Sequence, residues 1–247
     1  MKAKNFIGTS GFSYSHWKGI FYPEDLPSSK FLEFYAENFD TVEMNSTFYH
    51  TPRDTTIQNW VKKTPANFVF SVKASKFITH IKRLKDAKES VEKFLQKAEL
   101  FGNKLGVILF QLPPSLKKDI ALLSEFIEDL DKSKKYTIEF RHKSWLSDDV
   151  YDILKKNNIA FCISDTPRYP YAEVITANFS YVRLHGHTQL YASEYTQEQL
   201  EHYAEFIMRN NKKGISFYVY FDNDFYGYAV KNARELKDLV QKRGKSH

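Results

Sequence analysis

Eight short runs rich in β-branched and aromatic residues recur along this chain at roughly 31-residue intervals, with helically spaced segments between most of them. The runs fall at 5–9, 40–44, 67–73, 105–111, 136–140, 159–164, 180–185 and 217–222. Helical patterns cover 29–38, 55–63, 88–101, 117–130, 148–156, 196–210 and 229–241. In 88–101 the apolar stripe is Val91, Phe94, Leu95, Ala98 and Phe101, which keeps a 3.6-residue period. The run 105–111 is almost wholly apolar, as a strand covered on both faces must be. Strands that alternate with helices pair in parallel, because each helix carries the chain back to the starting end. Eight such units in 247 residues match a closed (β/α)8 TIM barrel, with 1–247 as a single domain. The weakly patterned stretch 169–178 predicts one irregular crossover after the sixth strand, with room for a short helix. A doubly wound open sheet is the alternative, but the chain lacks a G-x-G-x-x-G turn.

Composition narrows the class. Hydrophobic residues make up 42% and charged residues 27%, so a folded globule is expected rather than a disordered chain. No apolar run reaches about 18 residues, so no membrane partner is expected. The N-terminal residues run straight into the first strand, without the apolar core of a signal peptide. Cys162 is the single cysteine and cannot form an internal disulfide, which fits a reduced, cytoplasmic protein. The net charge of +6 is concentrated: 62–104 holds 11 Lys/Arg against 4 Asp/Glu. Such an excess is either a solvated face or a surface for an acidic partner, of which nucleic acid is one. Nothing in the sequence specifies an oligomeric state.

In a barrel, chemistry belongs at the C-terminal ends of the strands. Polar side chains collect there: Ser10, Glu43 with Asn45, Lys73, Gln111, Glu139 with Arg141, Asp165, Arg183 with His185, and Tyr220 with Asp222 and Asn223. Alternation puts Thr137, Glu139 and Arg141 on one face of the fifth strand and Tyr136, Ile138 and Phe140 on the other. Arg141 and Arg183, with Lys73, predict a clamp for an anionic small molecule, since guanidinium donates two parallel hydrogen bonds. His185, held by Asp165 or Asp222, is the candidate proton-transfer group. Glu139 is expected to stay ionised beside Arg141, as a base or as a ligand for a substrate hydroxyl. Glu43 is expected beside Lys73. Loop aromatics Tyr14, Trp17, Tyr49 and Trp145, with Tyr220, complete the candidate binding set. The competing reading makes all these charges an internal ion network that serves only the fold.

No cofactor is predicted. A divalent metal is the rival explanation for Glu43, Glu139, Asp165, His185 and Asp222, but H-x-x-x-H and H-E-x-x-H are absent and the cations would compete for the carboxylates. A G-x-S-x-G nucleophile turn is also absent, and Cys162 lies mid-strand.

Seven segments resemble the YecE-like family, domain of unknown function 72. They are Gly8 to Tyr14 with Trp17, Glu43 to Tyr49, Phe68 to Lys73, Leu105-Gly106 with Phe110 to Pro114, Glu139 to Arg141 with Ser144-Trp145, Tyr181 to Gly186, and Tyr220 to Asn223 with Asn232-Ala233. The resemblance spans nearly the whole chain and implies a (β/α)8 fold, but no established reaction. Two departures stand out: Phe12 replaces a usual Trp, and Asp222 replaces a usual Asn, adding a carboxylate near His185. Two functions remain open. One is an enzyme acting on a phosphorylated or otherwise anionic small molecule; the other is a nucleic-acid-binding barrel that uses 62–104 and the aromatic loops.

Overall fold

The computed structural model describes residues 3–49 and 52–245. Its strands are β1 (Asn5–Ser10), β2 (Thr41–Met44), β3 (Val69–Lys73), β4 (Leu105–Gln111), β5 (Lys135–Glu139), β6 (Ala160–Asp165), β7 (Phe179–Leu184) and β8 (Ser216–Phe221). They hydrogen-bond in sequence order as a closed barrel, and every pairing is parallel. The closing pair β1–β8 runs in register from Asn5 opposite Phe217 to Thr9 opposite Phe221. The expected TIM barrel is therefore the fold.

Two sets of side chains divide at the strands. Ile138, Phe140, Phe110, Val182, Leu184, Val219 and Phe221 join the core between strands and helices. Alternate residues point into the barrel, where Val107, Leu109, Cys162, Phe179, Tyr181, Tyr218 and Tyr220 form a separate cluster. The interior aromatics are large and carry hydroxyls that need partners. Tyr220 Oη lies 2.7 Å from Thr41 Oγ1 and donates to Ser71 Oγ at 2.9 Å. This layer plugs the barrel below the mouth, so polar residues one step further along each strand stand on a solid floor.

The helices are α1 (Phe31–Asn38), α2 (Ser46–Tyr49), α3 (Asp54–Lys62), α4 (Lys88–Ala98), α5 (Ile120–Glu128), α6 (Asp148–Lys156), α7 (Gln197–Asn211) and α8 (Tyr228–Lys245). α5 begins later than the apolar pattern suggests, because Asp119 caps it by accepting from the Leu122 amide at 3.0 Å. Ser147 occupies the N-cap position of α6, but its side chain caps no amide and instead accepts from Lys118 Nζ at 3.2 Å. The short α2 and a π-helical turn at Phe77–Ile81 were not legible as periodic patterns. The irregular crossover after β6 is present, without the short helix: 166–178 is neither helix nor strand. Thr176 ties it to the barrel, accepting from the Phe161 amide at 2.7 Å and donating to the Ile159 carbonyl at 2.6 Å. Among the described residues no helix is long and apolar enough to cross a membrane.

Candidate active site at the barrel mouth

Arg183 is the centre of the mouth. It is the inward residue two beyond Tyr181 on β7, and it is almost fully buried. Its Nε donates to both Glu43 oxygens at 3.1 and 3.0 Å, and Nη2 reaches Glu43 Oε1 at 2.8 Å. Nη1 donates to Glu139 Oε2 at 2.7 Å, and Nη2 also meets Asp222 Oδ2 at 3.2 Å and Ser10 Oγ at 3.3 Å. All of its nitrogens are therefore occupied by the protein. Glu43 is further held by Tyr181 Oη, which donates at 2.6 Å, and by the Ser10 hydroxyl, itself a hydrogen-bond acceptor for Asn45 Nδ2. Three strands that are not neighbours, β2, β5 and β7, thus meet on one guanidinium. Burial opposes the charge on Arg183, but Glu43, Glu139 and Asp222 raise its pKa well above the ordinary arginine value.

Glu139 lies between two arginines. It accepts from Gln111 Nε2 at 3.0 and 2.9 Å and from Arg141 Nε at 2.8 Å. Burial alone would raise its pKa, but Arg141 and Arg183 hold it well below the carboxylate range. The expectation that it remains ionised is consistent with this setting. Arg141 lies over the ring of Tyr169, 4.4 Å from its centroid, and its terminal nitrogens have no acceptor among the described residues. Lys73 is likewise unspent. It is buried, its Nζ sits 3.9 Å from the centroid of Phe48, and no hydrogen bond or ion pair reaches that nitrogen among the described residues. Burial lowers its pKa to about 8, helped by repulsion from Arg183 and opposed by Glu139 and Glu43. The expected Glu43–Lys73 pair does not form, because Glu43 is taken by Arg183.

His185 is fully buried with Nδ1 2.9 Å from Asp222 Oδ2, although the contact lacks hydrogen-bond geometry. Nε2 lies 3.3 Å from Arg183 Nη1, which can only donate. That assigns the lone pair to Nε2 and the hydrogen to Nδ1, on the Asp222 side. Of the two orienting carboxylates expected for His185, Asp222 is therefore the one in place. Asp165 is not in the cluster. Alternation sends Ser164 inward and Asp165 out toward α7, where it meets His187 Nδ1 at 3.1 Å and accepts from Tyr203 Oη at 2.9 Å. Its only link to His185 is a backbone one, the His185 amide donating to the Asp165 carbonyl at 3.0 Å. Burial raises the pKa of Asp222, but His185 and Arg183 bring it below the ordinary aspartate value. Two residues on, burial and the charge of Asp222 push Asp224 up to about 6.

A cavity of about 630 Å³ opens over this cluster, walled by Lys73, Gln111, Arg183, Asp222 and Asp224 and rimmed by Tyr191. Asn45 borders it and also borders a second cavity of about 600 Å³ that runs toward Tyr14 and Trp60. Several expected binding residues lie elsewhere. Trp17 is buried among Tyr14, Phe21 and Tyr22. Trp145 stacks on Phe140 and donates Nε1 to the Leu116 carbonyl at 2.7 Å, outside the barrel wall. Tyr220 belongs to the floor, and Asn223 donates to Asn232 Oδ1 at 3.0 Å and the Ser193 carbonyl at 2.9 Å, bracing a loop. Tyr14 donates to the Ser10 carbonyl at 2.7 Å, so it buttresses the mouth from behind. The side chain of Tyr49 falls outside the described residues.

Other residues at the mouth were not expected. Tyr181 could have been found, since it shares the inward face of β7 with Arg183. Tyr169, Tyr191 and Asp224 sit on loops and His80 on the π-helical turn Phe77–Ile81, where no period points to them. His80 packs edge-on against Phe48, and burial with Lys73 and Arg141 lowers its pKa to about 4. Among the described residues no group of three or more His, Cys, Asp or Glu could hold a metal ion, and no cofactor is indicated.

A (β/α)8 barrel whose strand ends converge on a buried arginine–carboxylate cluster is the class of protein that fold and site define. The chain belongs to the family described as "Protein of unknown function DUF72", which it matches over residues 6–247. It is 26% identical to the UPF0759 protein YunF of Bacillus subtilis (strain 168), with 95% of this chain and 94% of YunF covered. It is 28% identical to the UPF0759 protein YecE of Escherichia coli (strain K12) over 58% of this chain and 50% of YecE. The crystal structure of a DUF72 family protein from Thermotoga maritima MSB8 superposes with a TM-score of 0.86 at 32% identity, covering 96% of this chain and 99% of the other. The family suggested by the sequence segments is thus the one matched.

Proposed function

We propose that this protein is an enzyme that binds a small anionic molecule at the barrel mouth and moves a proton on it. One asymmetry carries the reading. Arg183 is fully engaged by Glu43, Glu139 and Asp222, whereas Lys73 and the outer nitrogens of Arg141 have no acceptor among the described residues. Buried donors left without acceptors gain most when a charged oxygen arrives. The ring of Tyr169 holds the plane of Arg141, which suits a bidentate contact with carboxylate or phosphate. Arg183, expected to share this clamp, contributes instead by fixing the carboxylates.

Proton transfer has two candidate groups. Asp222 and Asp224 stand two residues apart with pKa values pushed in opposite directions, the arrangement that separates a permanent charge from a working acid. Asp224, at about 6, can hold and release a proton near neutral pH. His185 is the second candidate, oriented by Asp222 and Arg183. Hydrolases, lyases and isomerases all use such steps, and this enzyme belongs with one of them. The buried, unpaired Cys162 fits a reducing cytoplasm.

Thermal unfolding in the presence of inorganic phosphate and a panel of phosphorylated and carboxylated metabolites tests the reading. A ligand at 100 times its Kd adds about 2.7 kcal/mol, a rise of roughly 5–11 °C for a chain of this size. We expect a saturable rise with at least one anion and at least tenfold weaker binding in Arg141→Met. No saturable rise, or equal binding by Arg141→Met, refutes it.

A second reading has its own support. Lys76, Lys82, Arg83 and Lys85 crowd the loop after β3 beside exposed Phe77 and Ile81, and exposed Phe225 and Tyr226 follow β8 at the same end of the barrel. Cations interleaved with aromatics suit a single-stranded nucleic acid.

A further inference from the structure

Lys73 and Arg183 are both buried in one barrel mouth, yet the protein treats them differently. Arg183 has all its nitrogens satisfied. Among the described residues Lys73 Nζ has the face of Phe48 beside it and no hydrogen-bond acceptor, while the carboxylates that could pair with it are committed elsewhere: Glu43 to Arg183, Tyr181 and Ser10, and Glu139 to Arg183, Arg141 and Gln111. A purely structural cation at the end of β3 would be expected to take one of them. Instead the amine lines the cavity that Asp224 also lines.

We propose that Lys73 is the amine of an imine-forming site, and that the anionic substrate is an aldehyde or ketone whose carbonyl carbon condenses with Lys73 Nζ. The inference rests on the anion reading and adds the substrate's reactive group. In the step, the nitrogen lone pair forms the C–N bond and the C–O bond breaks. The carbonyl oxygen leaves as water with two of the three ammonium protons, and a protonated imine remains. No oxidant or further reactant is needed. The imine then acidifies the adjacent C–H, and Asp224 lies on the same cavity to accept that proton.

The surroundings of Lys73 favour the free amine. Arg183 faces it from β7, Arg141 and Glu139 from β5 and its loop, Glu43 from β2, Asp222 from the end of β8, and His80 from the π-helical turn. Burial is the largest influence and Arg183 the next, bringing the amine to about 8. At pH 7.5 that leaves about a quarter of it unprotonated, roughly two-hundred-fold more than for a lysine at its ordinary value.

Reductive trapping tests this. The protein is mixed with one equivalent of pyridoxal 5′-phosphate, which carries an aldehyde and a phosphate, then reduced with borohydride and mapped by peptide mass. Glyoxylate, a two-carbon aldehyde carboxylate, serves as a smaller probe, and pyridoxal as the probe without the anion. We expect label at Lys73 at least tenfold above any other lysine, with a pH midpoint near 8 and suppression by excess inorganic phosphate. Lys73→Arg should lose the label and keep its thermal transition. Labelling of Lys73 no faster than that of exposed Lys93 with either anionic probe, or a midpoint near 10, overturns the proposal. If phosphate stabilises the protein but Lys73 is not labelled, the imine is wrong and the anion reading stands. If Lys73 is labelled equally by pyridoxal and phosphate does not compete, the imine stands and the anion reading falls. Should Lys73→Arg fail to fold, the wild-type map and its pH profile decide alone.

Discussion

Replacing Arg183 with methionine is the most informative perturbation of the cluster. The substitution keeps much of the side-chain volume and removes one charge that neutralises Glu43, Glu139 and Asp222, of which the two glutamates are fully buried. Breaking a buried pair by removing one partner costs about 3–5 kcal/mol; Glu139 keeps Arg141 and Gln111 and Asp222 keeps its contact with His185, so the loss falls hardest on Glu43, left with the hydroxyls of Tyr181 and Ser10. For a chain of this size the melting temperature should fall by roughly 6–20 °C. The pH dependence is the sharper signature. In the wild type Glu139 and Asp222 have depressed folded-state values, so their contribution is present above about pH 4 and fades as the pH falls through those values. Without Arg183, at least one carboxylate must take up a proton in the folded state, so its folded value rises above the unfolded one. Its contribution is then intact at low pH and lost as the pH rises. The penalty should therefore be largest near pH 8 and shrink toward pH 4.5. Urea unfolding followed by the fluorescence of buried Trp17 and Trp145 measures it directly. A penalty below about 1 kcal/mol, or one equal at both pH values, would mean that the cluster is not held together by Arg183.

Two further outcomes are expected. Gly186 follows His185 with φ +100, and a Cβ there would meet the Gln189 carbonyl oxygen at 2.4 Å, so Gly186→Ala should destabilise by about 1–3 kcal/mol in urea unfolding; a change within about 0.5 kcal/mol would show that the loop simply shifts. If the basic loop after β3 does bind nucleic acid through about four phosphates, fluorescence anisotropy should give a log–log salt slope of roughly −3 to −4 with no sequence preference; tight binding of a duplex that survives high salt contradicts an account based on charge alone.

Much of the fold was legible because its signals are local. Alternation is fixed by the strand itself, so Glu139 and Arg141 could be assigned to one face of β5 and its end, and Tyr136, Ile138 and Phe140 to the other, from the six consecutive positions 136–141. The same period, counted from Cys162, turns Asp165 away from the barrel, so its separation from the cluster was open to the same reasoning. Loop residues have no such period. Trp17 and Trp145 lie in segments whose burial depends on what packs over them, and Tyr169, His80 and Asp224 approach the mouth through backbone paths that no spacing specifies.

The sequence by itself determined the number of strands, their parallel order and the end at which charges gather, since each follows from periodicity and from crossover length. Only the tertiary structure decided which charges meet. Arg183 and Glu43 are 140 residues apart, and nothing local chooses Glu43 for the guanidinium rather than for Lys73. Closure of the barrel brings β2, β5 and β7 within reach of one side chain, and the number of donors on that side chain sets how many carboxylates it can hold. Lys73 is left over for the same reason: the nearby acceptors were already engaged in a partition that exists only once the barrel has closed.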